Sequence, residues 1–275
     1  PKVLLHCRFW PYRSMCLILL TYRPGTTRPL VVAANRDEFH VRATQPADFW
    51  PEYPDLLAGK DLVAGGTWLG CTRTGRFAAL TNFSQDTDPA EPKSRGRLVH
   101  DFLTSEQTAL AYANTIDGPA YAGFNLLLFD GEHLAYASNI ASGDSALPRL
   151  LEPGSYGLSN AELGAPWPKC VDGATAIANL AADHCGVDEL LAQLTDSSAP
   201  PDERLPNRQR DIEFERRVAP CFIVGDDYGT RASSAVIFDN GHIYFSEQTY
   251  LAAGQVGERI DFDFPQHQTQ QQELA

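Results

Sequence analysis

The sequence predicts an α+β domain in which antiparallel sheets carry helices on their faces. Short apolar or β-branched runs come in pairs around turn residues, these hairpins flank a central helical block, and no regular strand–helix–strand alternation appears. A chain of 275 residues with 43% hydrophobic content is long enough to bury a large core. With no internal repeat and no dividing linker, a single domain over 15–255 is expected. Residues 1–14 read as an upstream extension outside the fold, and 256–275, ending in "PQHQTQQQELA", as a disordered tail.

The elements follow in order. "CLILLTYR" and "PLVVAANR" flank the turn cluster "PGTT" and predict a hairpin whose first strand begins at Cys16. "QPADFWPEYPD" predicts a Pro-rich loop, and "GGTWLGCTRTGRFAALTNF" two short strands punctuated by Gly65–Gly66 and Gly75. Apolar residues Leu98, Val99, Phe102, Leu103, Ala109 and Leu110 recur at near-helical spacing. "AGFNLLLFDGEHLAYASN" is a hairpin turning at Asp130–Gly131. Pro166 and Pro168 suit a loop or helix start before the helical stretches "CVDGATAIANLAAD" and "VDELLAQLTD". A charged loop, "SSAPPDERLPNRQRDIEFERR", then leads to the closing strands "APCFIVG", "TRASSAVIFDN" and "GHIYFSEQT", the last two joined by Asn240–Gly241.

Composition narrows the function. A net charge of −13 argues against a nucleic-acid groove or an anionic membrane surface as partner. No apolar run reaches the length of a membrane span, and the opening residues are too short and broken for a signal peptide. Six scattered cysteines show neither metal-ligand spacing nor a C-x-x-C pair, which fits reduced thiols in a cytoplasmic protein. The seven histidines are dispersed, and the common phosphate-loop, nucleophile-elbow and zinc-helix signatures are absent.

One position can supply chemistry by itself. Met15 is the chain's only methionine and directly precedes Cys16. If Met15 is the initiator, its removal makes Cys16 the N-terminus; an initiator lost ahead of Pro1 is the other reading. A free α-amine, of unperturbed pKa about 7.7–8.0, can take the proton of a thiol of pKa about 8.5, so nucleophile and base would share one residue. With peptide attached the base is gone, and Cys16 reads as a core thiol opening a strand.

Around it, "ANRDEF" closes the second strand with Asn35, Arg36, Asp37 and Glu38, which a regular hairpin places beside Cys16. A carboxylate there suits an amine and an arginine suits a thiolate, while a strand-end salt bridge and turn cap explain the cluster equally well. Successive residues on a strand face opposite ways, so Arg36 and Asp37 are not both expected on the Cys16 face. Asn82 in "ALTNF" and Asn160 in "GLSN" are candidate oxyanion donors or turn formers. Asn82 also opens a glycosylation sequon with Ser84, discounted for a cytoplasmic chain. Arg231 in "YGTR" suits a substrate carboxylate, or a surface pair with Asp226 or Asp227. Trp50, Trp68 and Phe83 suit either an apolar pocket or the core.

Taken together, "MCLILL", "AANRDEF", "GGTWLG", "ALTNF", "GLSN", "YGTR" and "SEQTY" resemble the NRDE family, also called the transport and Golgi organisation protein 2 family, from Met15 to about Tyr250. More distantly, the order of elements is similar to the choloylglycine hydrolase and penicillin V acylase group of N-terminal-nucleophile (Ntn) hydrolases. That resemblance implies a four-layer αββα sandwich of two antiparallel sheets. It implies Cys16 as nucleophile, Asp37 as partner of its amine, Asn82 and Asn160 as oxyanion or amine-positioning residues, and Arg231 as a late active-site arginine. The chain departs from that group at Ala34, where those hydrolases carry an arginine; here Arg36 stands immediately before Asp37 instead.

Two functions compete. The first is an N-terminal cysteine amidohydrolase cutting a non-peptide C–N bond of a small acylated substrate, with no cofactor required and no metal. The second is a non-catalytic carrier of haem, lipid or acyl-CoA on the same fold. Haem has no C-x-x-C-H motif and no obvious axial pair to bind it here. The sequence leaves the oligomeric state open.

Overall fold

The computed structural model describes residues 15–83, 89–140, 147–208 and 211–267. The extension 1–14 with Cys7, Ser84 of the sequon, and 268–275 of the expected tail lie outside the described residues.

In chain order the elements are β1 (Cys16–Tyr22), β2 (Leu30–Phe39), β3 (Thr44–Trp50), β4 (Tyr53–Asp61), β5 (Leu69–Thr72), β6 (Phe77–Asn82), α1 (Gly96–Leu103) and α2 (Ala109–Asn114). There follow β7 (Phe124–Phe129), β8 (Leu134–Ser138), β9 (Arg149–Leu150), β10 (Gly154–Leu158), α3 (Pro168–Ala182), α4 (Val187–Gln193) and α5 (Ile212–Val218). The chain closes with β11 (Tyr228–Asp239), β12 (His242–Tyr250) and β13 (Val256–Pro265). Two antiparallel sheets result, ordered β10-β1-β2-β11-β12-β13 and β3-β4-β5-β6-β7-β8-β9.

Side-chain alternation sorts these elements into four layers. Ile18, Leu20, Val32, Val236 and Phe245 of the first sheet meet Leu57, Phe77, Leu127 and Tyr136 of the second in a core between the sheets. The opposite face of the first sheet, with Leu17, Leu19, Val31 and Ile237, packs on Ile177 of α3 and Leu190 of α4. The outer face of the second, with Leu56, Ala78, Leu126 and Leu128, packs on Val99 and Phe102 of α1 and Ala109 of α2. The architecture is therefore the expected αββα sandwich, its helices segregated outside two antiparallel sheets.

Several local expectations are corrected. The Pro-rich stretch is strand, not loop. It forms the outermost pair of its sheet, where breaks in register between Gln45 and Asp48 accommodate Pro46 without a ladder donor. The charged loop contains α5, capped by Asp211, whose carboxylate accepts the Phe214 N–H at 2.7 Å. "APCFIVG" is not a strand: its donors go elsewhere, Phe222 to the Asp196 carbonyl at 2.9 Å and Ile223 to the Thr230 hydroxyl at 2.9 Å. The supposed tail is ordered through Pro265 as β13. Ile260, Phe262 and Phe264 alternate with Arg259, Asp261 and Asp263, so one face closes the edge of the core while the other meets water.

Gly65–Gly66 turns the chain into β5. Gly66 has φ +80°, and a Cβ there would lie 2.5 Å from the Gly96 carbonyl carbon, so the α1 start seats directly on this turn.

Candidate active site

The β1–β2 register fixes the site. Cys16 pairs with Arg36, and Arg36 pairs with Ala232 of β11, so these three share the face that looks between the sheets. Cys16 and Arg36 both line a cleft of about 640 Å³ at the open end of the sandwich, with Glu38, Asn82 and Arg231. Asp37 points the other way, toward the helices. Its N–H donates to the Met15 carbonyl at 2.9 Å, and its carboxylate accepts the Thr230 hydroxyl at 2.6 Å. Of the polar pair in "NRDE", the arginine stands beside the thiol and the aspartate beside the Met15 backbone.

Asp37 is fully enclosed. Burial raises its pKa to about 6, opposed by the Lys169 ammonium, the Thr230 hydrogen bond and Arg36. Met15 is buried as well, at 3% exposure, and its N–H donates to the Tyr228 hydroxyl at 2.6 Å.

Asn160 faces the Cys16 nitrogen. The Cys16 N–H donates to Asn160 Oδ1 at 3.0 Å, while Asn160 Nδ2 donates to the Asn82 carbonyl at 2.8 Å. Because Cys16 N–H is an obligatory donor, the carboxamide orientation is fixed. The Ser159 hydroxyl meets the Cys16 carbonyl at 2.7 Å, so the residue is gripped at both backbone ends.

Arg231 reaches the cleft through a break in pairing. Thr230 pairs with Asp37 and Ala232 with Arg36, leaving Arg231 between them as a bulge that re-aims its side chain. Its guanidinium donates to the carbonyls of Phe39 and Arg42, at 2.9 and 3.1 Å, and not to Asp226 or Asp227. Burial and the nearby Arg36 charge lower its pKa, with Glu38 opposing. Among the described residues it forms no ion pair, whereas Arg36 and Arg42 share Glu38 and Asp61 at 2.8–4.0 Å.

The cleft is cationic in an acidic protein. Arg36, Arg42, Lys60, Lys93, Arg95 and Arg231 outnumber Glu38, Asp61 and Glu247 along its walls. Glu247, within the "SEQTY" motif but with no sequence signal of its own for a site, is 5% exposed on its floor and joins the sheets by accepting the Ala47 N–H at 2.9 Å. Burial raises its pKa, opposed by the Ala47 hydrogen bond and Arg36. Of the three aromatics considered, Trp68 lines the cleft, while Trp50 lies in the core beneath α1 and Phe83 is not in the lining. Among the described residues the lining includes Cys16, itself 4% exposed, and no histidine. Among the described residues, too, no cluster of His, Cys, Asp or Glu is disposed to hold a metal ion, and no helix is long and apolar enough to cross a membrane.

Residues 15–252 match the family model described as Transport and Golgi organisation 2. The chain is 33% identical over 261 residues to the Transport and Golgi organization 2 homolog of Mus musculus, covering 86% of this chain and 94% of that one. It is 35% identical over 265 residues to the Bos taurus homolog, covering 87% and 94%. Among solved structures, penicillin V acylase from Agrobacterium tumefaciens superposes with a TM-score of 0.43 at 11% identity, covering 90% of this chain and 86% of that one. A mutant conjugated bile acid hydrolase from Clostridium perfringens gives 0.45 at 9% identity, covering 94% and 98%.

Proposed function

We propose a function for this chain, which belongs to the Transport and Golgi organisation 2 family: it is an N-terminal cysteine amidohydrolase. Its substrate is a small acylated molecule, cut at a non-peptide C–N bond. The supporting observation is the seat of Cys16: first residue of β1, thiol in the cleft, nitrogen accepted by Asn160 Oδ1 at 3.0 Å.

Removal of Met15 would turn that nitrogen into an amine within the same seat. The amine takes the thiol proton, and the thiolate attacks the substrate carbonyl. Asn82, at the cleft wall, is the candidate oxyanion donor, and Asn160 the residue that orients the amine. The ammonium then protonates the leaving nitrogen, the C–N bond breaks, and a Cys16 thioester remains. Water, deprotonated by the amine, hydrolyses that thioester to release the acid and the free thiol. Asp37, behind the Met15 position, is suited to hold the ammonium form, and Arg36 to favour the thiolate. The surplus of cationic side chains suits a substrate with an anionic group, and Arg231 is the cation best placed to receive it.

A second reading is favoured by one feature of the same geometry: with Met15 attached, the Cys16 nitrogen is an amide and no base is present. The cleft then serves a carrier of an amphipathic anion such as a lipid, an acyl-CoA or haem. Among the described residues of the lining, haem would find the Cys16 thiol as its only soft donor. Iodoacetamide separates the two readings. A nucleophile gives one rapid, stoichiometric alkylation that Cys16→Ala abolishes, whereas a carrier shows no such fast phase and keeps its ligand in that variant.

A further inference from the structure

Behind the cleft, a run of buried polar side chains crosses the core between the sheets and ends on the residues that grip Cys16. The Tyr136 hydroxyl on β8 donates to Asn125 Oδ1 at 2.7 Å and accepts the Leu163 N–H at 3.3 Å. Asn125 Nδ2, on β7, donates to the Ala161 carbonyl at 2.8 Å and lies 3.1 Å from the Thr81 hydroxyl and 3.3 Å from the Ser159 carbonyl. The Thr81 hydroxyl, at the end of β6, donates to the Ser159 carbonyl at 2.5 Å. Ser159 then holds the Cys16 carbonyl, and Asn160 the Cys16 nitrogen.

The donors run in one direction. Asn125 Nδ2 faces three oxygens, so Oδ1 is left to accept, which makes Tyr136 the donor and leaves a Tyr136 lone pair for Leu163. Thr81 and Asn125 are 0% exposed, Tyr136 1% and Ser159 2%. Apolar side chains of similar size would fill this space without the desolvation cost of four polar ones, so the arrangement is accounted for by what it orients. Its bonds converge on 159–161, the segment just after β10, where a shift of a few tenths of an ångström would move Asn160 Oδ1 relative to the Cys16 nitrogen.

We propose that Asn125, oriented by Tyr136, is a positioning residue that sets the Asn160 carboxamide against the nitrogen of Cys16. Its effect on reactivity rests on the nucleophile reading; its effect on Asn160 geometry does not.

The test uses the full chain with Tyr136→Phe, Asn125→Ala and a control, Tyr112→Phe. The control deletes a hydroxyl bonded to the Leu98 carbonyl at 2.9 Å, between α1 and α2 on the other face of that sheet. Hydrogen exchange of the Asn160 carboxamide, assigned by Asn160→Asp, is read by NMR. It should accelerate about tenfold in Tyr136→Phe, more in Asn125→Ala, and stay unchanged in the control. The pH profile of Cys16 alkylation by iodoacetamide should shift in the first two variants, with rates lower by about five- to tenfold. If Asn125→Ala does not fold, Tyr136→Phe decides. Exchange unaltered in Tyr136→Phe, or equally fast in Tyr112→Phe, overturns the positioning role. A wild-type Cys16 no more reactive than an ordinary thiol overturns the hydrolase reading instead, and the exchange result still decides the role of Asn125.

Discussion

The backbone nitrogen of Cys16 donates to the carboxamide oxygen of Asn160 at 3.0 Å, across 144 positions of sequence. An oxygen at that point accepts from an amide N–H and, more strongly, from an ammonium. The seat is thus ready for either state of residue 16, and what Asn160 does to the charge there can be measured.

Replacing Asn160 by Asp puts a full negative charge against the nitrogen. In a chain that begins at Cys16, a carboxylate there stabilises the ammonium form and disfavours the adjacent thiolate, so both groups give up their protons at higher pH. The midpoint of Cys16 alkylation against pH should move up by about one unit, read with iodoacetamide over a pH series. A midpoint that stays or falls would remove Asn160 from the neighbourhood of the base.

Asp37 gives a pH term of unusual sign. Its folded pKa, raised to about 6, lies above the ordinary 3.8, so between those values the native state holds a proton that the unfolded state does not. Stability from this group therefore grows as pH falls from about 6 toward 4 and is lost as pH rises. The groups facing it include Lys169 from α3, Thr230 and Tyr228 from β11, Cys221 from the segment before β11, and its neighbours Arg36 and Glu38. The unfolding free energy of wild type minus that of Asp37→Asn should be larger at about pH 4.5 than at about pH 7, by about 1–2 kcal/mol in urea titrations. A difference flat with pH would mean that Asp37 titrates as if exposed.

The cationic cleft should sort reagents by charge. Iodoacetate carries a carboxylate and iodoacetamide does not, so their rate ratio at Cys16 reports the local field. That ratio should exceed the one for a small free thiol and should fall as salt is added. Arg231→Gln should lower it by about three- to tenfold while leaving the neutral reagent little changed. A ratio equal to that of the free thiol would deny the site any preference for anions.

Gly66 ties the cleft wall to α1. Alanine there meets both the left-handed backbone at φ +80° and the Gly96 backbone 2.5 Å away, so neither strain relaxes without moving the helix start. A loss of about 2–4 kcal/mol in thermal or urea unfolding is expected for Gly66→Ala. A near-neutral result would show that this turn has freedom to shift.

Particular residues show how far the sequence reaches. The hairpin from Cys16, its pairing with the polar end of β2, and the turns at Asp130–Gly131 and Asn240–Gly241 were legible because period-two patterning and turn chemistry are local signals. The same patterning foretold that Arg36 and Asp37 face opposite ways, and the register decides which of them meets the thiol. Strands β3 and β13 were hidden, one by proline and the other by charge alternation, both of which an edge position tolerates. The Tyr136–Asn125–Thr81–Ser159 run left no signal, since hydrogen-bonding polar residues inside strands become a network only when two sheets bring distant segments together. The bulge that aims Arg231 is likewise a property of pairing.

Hydrolysis by Cys16 requires a free α-amine, so what precedes that residue in the polypeptide taken from its native cell decides between the two functions. Intact-mass measurement with N-terminal sequencing answers this directly. A hydrolase is expected to start with Cys16; a mature protein that retains Met15 ahead of it rules out the mechanism, leaving the site without its base and the cleft as a place for binding.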